Sequence, residues 1–280
     1  MRIFKTVAAM RDWAGTQRDA GRSIGFVPTM GALHRGHLSL IEPSTTERDR
    51  TVVSIFVNPT QFNRREDYDN YPDTLRRDVW DLLDTKTDVL FLPTPEEMYP
   101  DGQDGYDPPV SGLVTSIAEG VHRPGHFDGM QQVIERFLGI IQPSHIYMGF
   151  KDYQQWMIVE QLCAKRAPNT SVRVCPTVRE DDGVALSSRN LRLSPVGRKR
   201  ATVLIEALQM ARESIGTEPF AELERQAMEH MRSQRGCEPE YFEIRDRHTL
   251  AEPAPDQVDD LVGLTACNVE GIRLIDCLVF

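Results

Sequence analysis

Residues 24–41 read IGFVPTMGALHRGHLSLI, and the fold turns on how this stretch is parsed. Ile24-Gly25-Phe26-Val27 is an apolar, strand-like run, and Leu38-Ser39-Leu40-Ile41 is an apolar, helix-like one. Between them lie two glycines, Gly31 and Gly36, and two histidines three apart, His34 and His37. A strand that turns through glycine into a helix presents free backbone N–H groups and a partial positive charge, which favour phosphate. Two imidazoles at the mouth of that turn add further donors.

Working outward, residues 1–180 alternate short β-branched runs with helical periodicity, the signature of an α/β layered domain. The expected strands are Ile24–Val27, Thr51–Val57, Asp88–Leu92, His145–Gly149 and Ser171–Cys175. A helix is expected after Pro72, with Pro72 at its first position and Leu75, Val79, Leu82 and Leu83 on one face. Phe127–Ile141 and Asp152–Arg166 read as two more helices. The character changes near residue 180. DDGVALSSRNLRLSP reads as a loop or hinge, followed by helices over 195–213 and 218–235 and by the strand-like runs YFEIRD, DLVGLTACNV and GIRLIDCLV. Glu270-Gly271 suits a tight turn between the last two. The expected organisation is a parallel-sheet domain over 1–180 and a smaller α+β domain over 181–280.

In an open parallel sheet, ligands bind beyond the carboxyl ends of the strands. Four expected strands end in polar or basic groups. Thr29, Met30, His34 and His37 follow the first, and Asn58 and Gln61 follow TVVSIFV. Lys151, Asp152 and Gln155 follow HIYMG, and Thr177, Val178, Ser187, Ser188 and Arg189 follow SVRVC. A shared site explains four such coincidences better than chance. The set suits a polyphosphate clamp, in which fixed donors stabilise developing charge. There is no GxxxxGK[ST] and no GxGxxG after a strand, so the P-loop and the dinucleotide fingerprint are absent.

The chain has 280 residues and a net charge of −10, without the electrostatic footprint of a nucleic-acid binder. Its five cysteines are odd in number and form no CxxC pair, which points to reduced thiols in a cytoplasmic protein. No signal peptide is read in MRIFKTVAAMRDWAG, and no run of eighteen apolar residues suggests a membrane span.

PTMGALHRGH, SIFVNPTQF, RPGHFDG, GFKDYQQ and PTVREDDGVALSSRN together resemble the pantothenate synthetase family, in its order and at its spacings. The resemblance covers about the first 195 residues and continues more weakly through EIRD and RLID. It implies a Rossmann-like N-terminal domain with a smaller C-terminal lid, in the superfamily whose HxGH binds ATP phosphates, and usually a homodimer. It also implies condensation of D-pantoate with β-alanine, using ATP and Mg²⁺, through a pantoyl-adenylate, with release of AMP and pyrophosphate. Carried over by position, His34 and His37 would hold the phosphates and stabilise the adenylation transition state. Lys151, Ser187, Ser188 and Arg189 would grip the β/γ side. Gly149 and Asp152 would meet the ribose, and the Val178 backbone the adenine. Gln61 and Gln155 would bind pantoate, Asn58 would line its pocket, and the Met30 backbone would face the reacting centre. Asp78 would help hold Mg²⁺, with Arg123 and His126 in support.

This chain departs from the family pattern at Arg35, Arg77, Phe150 and Arg192, and at Pro43 inside the helix after HxGH, which it is expected to kink or shorten. None of these removes a proposed catalytic side chain. They leave room for an altered acid or amine substrate, or for a slow enzyme. Other readings stay open on the residues alone. Asp78 suits a surface salt bridge nearly as well as a metal, Met30 suits core filling, and Lys151 and Arg189 suit solvated charges. A zinc site from His34, His37, His122 and His126 lacks the usual ligand spacing. Plain nucleotidyl transfer and silent ATP binding are the competing functions.

Overall fold

The computed structural model describes residues 1–62 and 65–280. They fall into two compact units: Met1–Ser111, Arg123–Phe150 and Gln154–Pro176 in one, and Gly112–His122, Lys151–Tyr153 and Thr177–Phe280 in the other.

The first unit is built on six strands: β1 Arg2–Phe4, β2 Ile24–Thr29, β3 Arg50–Ile55, β4 Val89–Phe91, β5 His145–Gly149 and β6 Ser171–Cys175. Every pairing is parallel, in the order β1-β4-β3-β2-β5-β6. Successive side chains alternate faces. Phe26 and Phe91 therefore face one layer, where both rings meet Phe137 of the His126–Ile141 helix, at 5.1 and 6.1 Å. Val27, Val53, Leu90 and Tyr147 face the other, packed with Leu40, Ile41 and Leu82. The chain runs outward from β2 to β3 on one side, and from β5 to β6 on the other. The order thus reverses between β2 and β5, and the carboxyl ends of these two strands flank the switch point where ligands enter such sheets.

β5 and β6 coincide with the expected runs, and β2, β3 and β4 lie within two residues of theirs. β1 was not foreseen. It is three residues long, and its partner β4 lies more than eighty residues away in sequence. Pro72 precedes its helix rather than opening it, since the helix spans Leu75–Leu83 with Thr74 at the N-cap. The expected apolar face is also different. Leu75 and Leu83 are exposed, whereas Asp78 and Leu82 are buried. The Arg35–Glu47 helix runs through Pro43 instead of ending there.

The second unit carries an antiparallel sheet, β7 Cys237–Asp246, β8 Leu261–Val269 and β9 Ile272–Val279. Helices Thr202–Glu213 and Phe220–Ser233 cover it, burying Leu204, Leu208, Leu223 and Met231 against Phe242, Ile244 and Leu274. Glu270 and Gly271 both take positive φ, +52° and +81°, as a two-residue hairpin turn of this kind requires. The helix expected over 195–213 is two, Pro195–Arg200 and Thr202–Glu213.

Candidate active site

The turn after β2 is locally strained and heavily bonded. The Thr29 hydroxyl donates to the Ser54 carbonyl at 2.7 Å and accepts the Gly31 N–H at 3.2 Å. Gly31 and Ala32 both sit at positive φ, +83° and +50°. Glycine adopts this readily, but the left-handed conformation costs alanine roughly 1–2 kcal/mol. A Cβ at Gly31 would lie 3.1 Å from Ile55 and 3.2 Å from Asp78.

Asp78 holds this turn in place. Its side chain is buried, the residue being 1% exposed. One carboxylate oxygen accepts the Ala32 N–H at 2.9 Å, and the other accepts the Leu33 N–H at 2.9 Å. The Thr74 hydroxyl lies within hydrogen-bond distance of both, at 3.0 and 3.1 Å, and shares its one proton between them. His34 follows as the N-cap of the Arg35–Glu47 helix, and its Nδ1 accepts the Gly36 N–H at 3.1 Å. An imidazole whose Nδ1 accepts carries its proton on Nε2, so Nε2 is the donor. The His37 ring lies 4.0 Å from the His34 ring, centroid to centroid, and both residues are half-buried.

A second polar cluster follows β3. Asn58 is 1% exposed and bonded at every polar side-chain atom. Its amide N–H groups reach Gln61 Oε1 at 3.2 Å and the Gly129 carbonyl at 3.0 Å. Its oxygen accepts Thr60 Oγ1 at 3.0 Å and the Tyr99 hydroxyl at 2.8 Å. Gln61, half-buried, points its amide at Met30 Sδ, 2.9 Å away. The Gln61 carbonyl receives His126 Nδ1 at 2.9 Å, and Arg123 bonds His126 Nε2 at 3.0 Å. His126 therefore carries its proton on Nδ1, the opposite tautomer to His34. Gly129 explains the end of RPGHFDG: a Cβ there would lie 2.2 Å from the Thr60 carbonyl oxygen. Gly149 ends β5 with open space where a Cβ would stand, and Gln155 lies half-buried in the first turn of the Tyr153–Arg166 helix.

The remaining expected site residues belong to the second unit. Lys151 Nζ bonds Asp152 Oδ1 at 3.1 Å, and the Lys151 carbonyl accepts the Cys277 thiol at 3.6 Å. Residues 178–186 fold back on themselves. The Leu186 N–H reaches the Val178 carbonyl at 3.0 Å, with an antiparallel bridge between Arg179 and Ala185. Arg179 pins this hairpin to β9. It grips Asp276 with two bonds, 2.6 and 2.9 Å, and donates to the Cys277 carbonyl at 3.1 Å. Burial pushes the Asp276 carboxyl up, and Arg179 offsets this only in part. Ser187 caps the short helix Ser188–Arg192 by accepting the Arg189 N–H at 3.3 Å, and Ser188 is buried.

Sequence reasoning missed Tyr99, Gly129, Arg179 and Asp276. Arg179 stands within PTVRE and Asp276 within RLID, yet nothing in either motif tells of a pairing 97 residues apart. Asp78 does not fit a magnesium ligand. A carboxylate offers about four lone-pair sites, and here two backbone N–H groups and the single proton of the Thr74 hydroxyl already occupy three of them. Magnesium also demands octahedral access and keeps several waters, which a buried carboxylate cannot give. Among the described residues, no group of three His, Cys, Asp or Glu side chains is arranged to hold a metal ion. Of the residues where the chain departs from the family pattern, Phe150 stacks on Trp156 at 6.3 Å, Arg77 pairs with Asp81 at 3.7 Å, and Arg35 is exposed.

A cavity of about 910 Å³ opens at the amino ends of β2, β5 and β6, lined by Arg18, Arg22, Arg136 and Arg166 beside Ser23, Ser144 and Thr170. Arg18 donates to the Ile141 carbonyl at 2.7 Å and Arg166 pairs with Glu135 at 3.2 Å. A cation at a helix C-terminus offsets the partial negative charge there, which accounts for Arg18, and Arg166 is occupied by its ion pair.

A parallel sheet whose switch-point turn leads into a helix N-terminus capped by an Nε2-protonated imidazole defines a doubly wound α/β enzyme of the phosphate-handling kind. Comparison with known proteins makes this particular. The family model described as pantoate-beta-alanine ligase matches residues 2–279, and the chain belongs to that family. Pantothenate synthetase from Thermus thermophilus is 43% identical over 279 residues, covering 99% of each chain. The one from Acetivibrio thermocellus is 39% identical over 285 residues, covering 100% of this chain and 99% of its own. A crystal structure of the Thermus enzyme superposes with a TM-score of 0.91 at 42% identity, covering 100% of this chain and 99% of that one. The Francisella tularensis pantoate-beta-alanine ligase, solved with beta-gamma ATP and beta-alanine, gives 0.83 at 35% identity, covering 100% and 97%. The chain is thus an ATP-dependent pantoate–β-alanine ligase.

Proposed function

We propose that ligation runs through a pantoyl-adenylate, with His34 and His37 acting on the phosphates. The pantoate carboxylate attacks the α-phosphorus in line, the bond to the bridging oxygen breaks, and pyrophosphate leaves. The free amine of β-alanine then attacks the acyl carbon, AMP departs, and the ammonium proton is lost to solvent or base. The observation that carries this reading is the His34 tautomer. With Nδ1 fixed by the Gly36 N–H, Nε2–H is the donor, and it stands beside a helix N-terminus. Preorganised donors of this kind stabilise charge as it develops and need no reorganisation.

In this reading Lys151, Ser187, Ser188 and Arg189 hold the β/γ-phosphates, Gly149 and Asp152 the ribose, and the Val178 backbone the adenine. Gln61 and Gln155 take pantoate, with Met30 and Asn58 beside it. Asn58 acts by fixing Gln61, to which it donates. Mg²⁺ arrives with ATP as part of the substrate rather than as a resident ion. The second unit serves as the lid, protecting the adenylate from water. The five cysteines are buried thiols outside any disulfide, which supports a reducing, cytoplasmic setting. The assembly is a homodimer, to be checked by sedimentation against the 31.8 kDa chain mass.

Pantoate labelled with ¹⁸O in its carboxylate tests the intermediate directly. One labelled oxygen is expected in AMP after turnover with β-alanine. Unlabelled AMP would rule out the adenylate.

A further inference from the structure

We infer that Asp78 is a positioning residue for the nucleotide turn, acting on His34 through the backbone of Ala32 and Leu33. Its carboxylate spans two successive N–H groups, one on each oxygen, at 2.9 Å both times. The first belongs to Ala32, a non-glycine residue held at φ +50°. Left-handed alanine persists only where its surroundings over-determine it, and this carboxylate, bonded to the Ala32 N–H itself, is one of the groups that do so. Two residues on, His34 must adopt extended dihedrals, φ −148° and ψ 173°, for its Nδ1 to accept the Gly36 N–H. The direction of the His34 ring and the identity of its protonated nitrogen therefore both depend on a turn that Asp78 anchors through two successive backbone amides.

The carboxylate is itself aimed from one turn of its own helix. Thr74, at the N-cap, donates its hydroxyl to Asp78 and makes no capping bond. Thr29 and Ser54 brace the turn from the sheet side, by the bonds at 2.7 and 3.2 Å. Gly31 leaves room for the carboxylate, since a Cβ there would stand 3.2 Å from Oδ2. An asparagine at 78 would accept one N–H and set its own amide N–H₂ against the other, a donor facing a donor. Charge and symmetry are both needed, which is the mark of an anchor for paired backbone amides. The catalytic consequence rests on the adenylation reading above, while the effect on the His34 ring does not.

The test compares Asp78→Asn and Thr74→Val with the unaltered chain. Histidine ring ¹⁵N spectra are recorded with neither ATP nor Mg²⁺ present, and ATP–pyrophosphate exchange is measured as a function of Mg²⁺. For Asp78→Asn, the His34 signals are expected to leave the Nε2–H pattern in the metal-free protein. Exchange should fall by about 10- to 100-fold in kcat, with the half-saturating Mg²⁺ unchanged. Thr74→Val keeps both backbone bonds, so it should shift the same signals less and cost under about threefold. If Asp78→Asn fails to fold, Thr74→Val alone decides by the same two readouts. Unaltered His34 signals would overturn the inference, as would a raised Mg²⁺ requirement relieved by excess metal. Shifted signals with undiminished exchange would leave the anchor standing and sink the adenylation role of His34.

Discussion

Two loops of this molecule are each held by a buried carboxylate, and they are held in different ways. In the first unit, Asp78 at 1% exposure pairs with no cation among the described residues and is satisfied by two backbone N–H groups and a hydroxyl. In the second, Asp276 at 4% exposure is gripped by both arms of Arg179, whose guanidinium also reaches two carbonyls, those of Gly183 and Cys277. The first arrangement suits a strained turn of three residues, where a carboxylate fixes the peptide planes themselves. The second suits a longer hairpin, where a planar five-donor fork can pin one strand to another at several points. Amide anchoring sets dihedral angles finely. Guanidinium anchoring sets the placement of a whole segment, here the one that carries Val178 and leads to Ser187.

The comparison breaks most sharply at Asp276. Replacing it by alanine leaves the half-buried Arg179 guanidinium without its carboxylate, and about 3 kcal/mol of stability should disappear, read as the urea midpoint. Replacing Arg179 by methionine and Asp276 by leucine together should recover most of that loss. Activity should not recover with it, because the hairpin loses its fixed placement. Recovery of full activity would mean that apolar packing alone sets the segment.

His34→Ala probes what the amide anchor is for. It should cut turnover by roughly 10²–10³-fold, the size expected for a lost transition-state donor, while costing only about 1 kcal/mol of stability for the lost helix cap. A near-normal rate would detach the turn from the chemistry. The smallest effect is a pH dependence in the second unit alone. Asp246 lies at the end of β7, where Thr249, Gln257 and the His248 N–H hold its carboxyl down at about 2, against an ordinary value of 3.8. A depressed carboxyl stabilises the fold above its unfolded value, and that contribution fades as pH falls from 3.8 toward 2. Asp246→Asn should flatten acid unfolding within that window, followed by circular dichroism, and leave the pH dependence near neutrality as it was.

Much of the first unit was legible in the chain. β5 and β6 appear where the β-branched runs stand, and the glycine-flanked histidines lie at a strand-to-helix turn. Periodicity misled in one helix. Leu75, Val79, Leu82 and Leu83 suggested an apolar face, but the chain buries Asp78 with Leu82 and exposes Leu75 and Leu83. A pattern of hydrophobicity records the average demand of a core, and one acid needed by a distant turn is an exception that it cannot register. The same holds for RLID, weak as a motif, which supplies Asp276 and follows directly on Gly271-Ile272 with Arg273 at its head. Arg273 bonds Glu119 twice, at 2.9 and 2.5 Å, although the two lie 154 residues apart.

The sequence by itself determined most of the strands, the turn chemistry and the polar residue types gathered at the strand ends, because local propensity and short-range spacing carry that information. Only the tertiary structure decided which nitrogen of His34 bears the proton, why Ala32 sits in a left-handed conformation, and that Asp78 spends its lone pairs on backbone amides. The Ala32 and Asp78 outcomes depend on hydrogen bonds between segments that are distant in the chain, 46 residues apart for Ala32 and Asp78 and 97 for Arg179 and Asp276. Such bonds form only once burial has removed water as the competing partner.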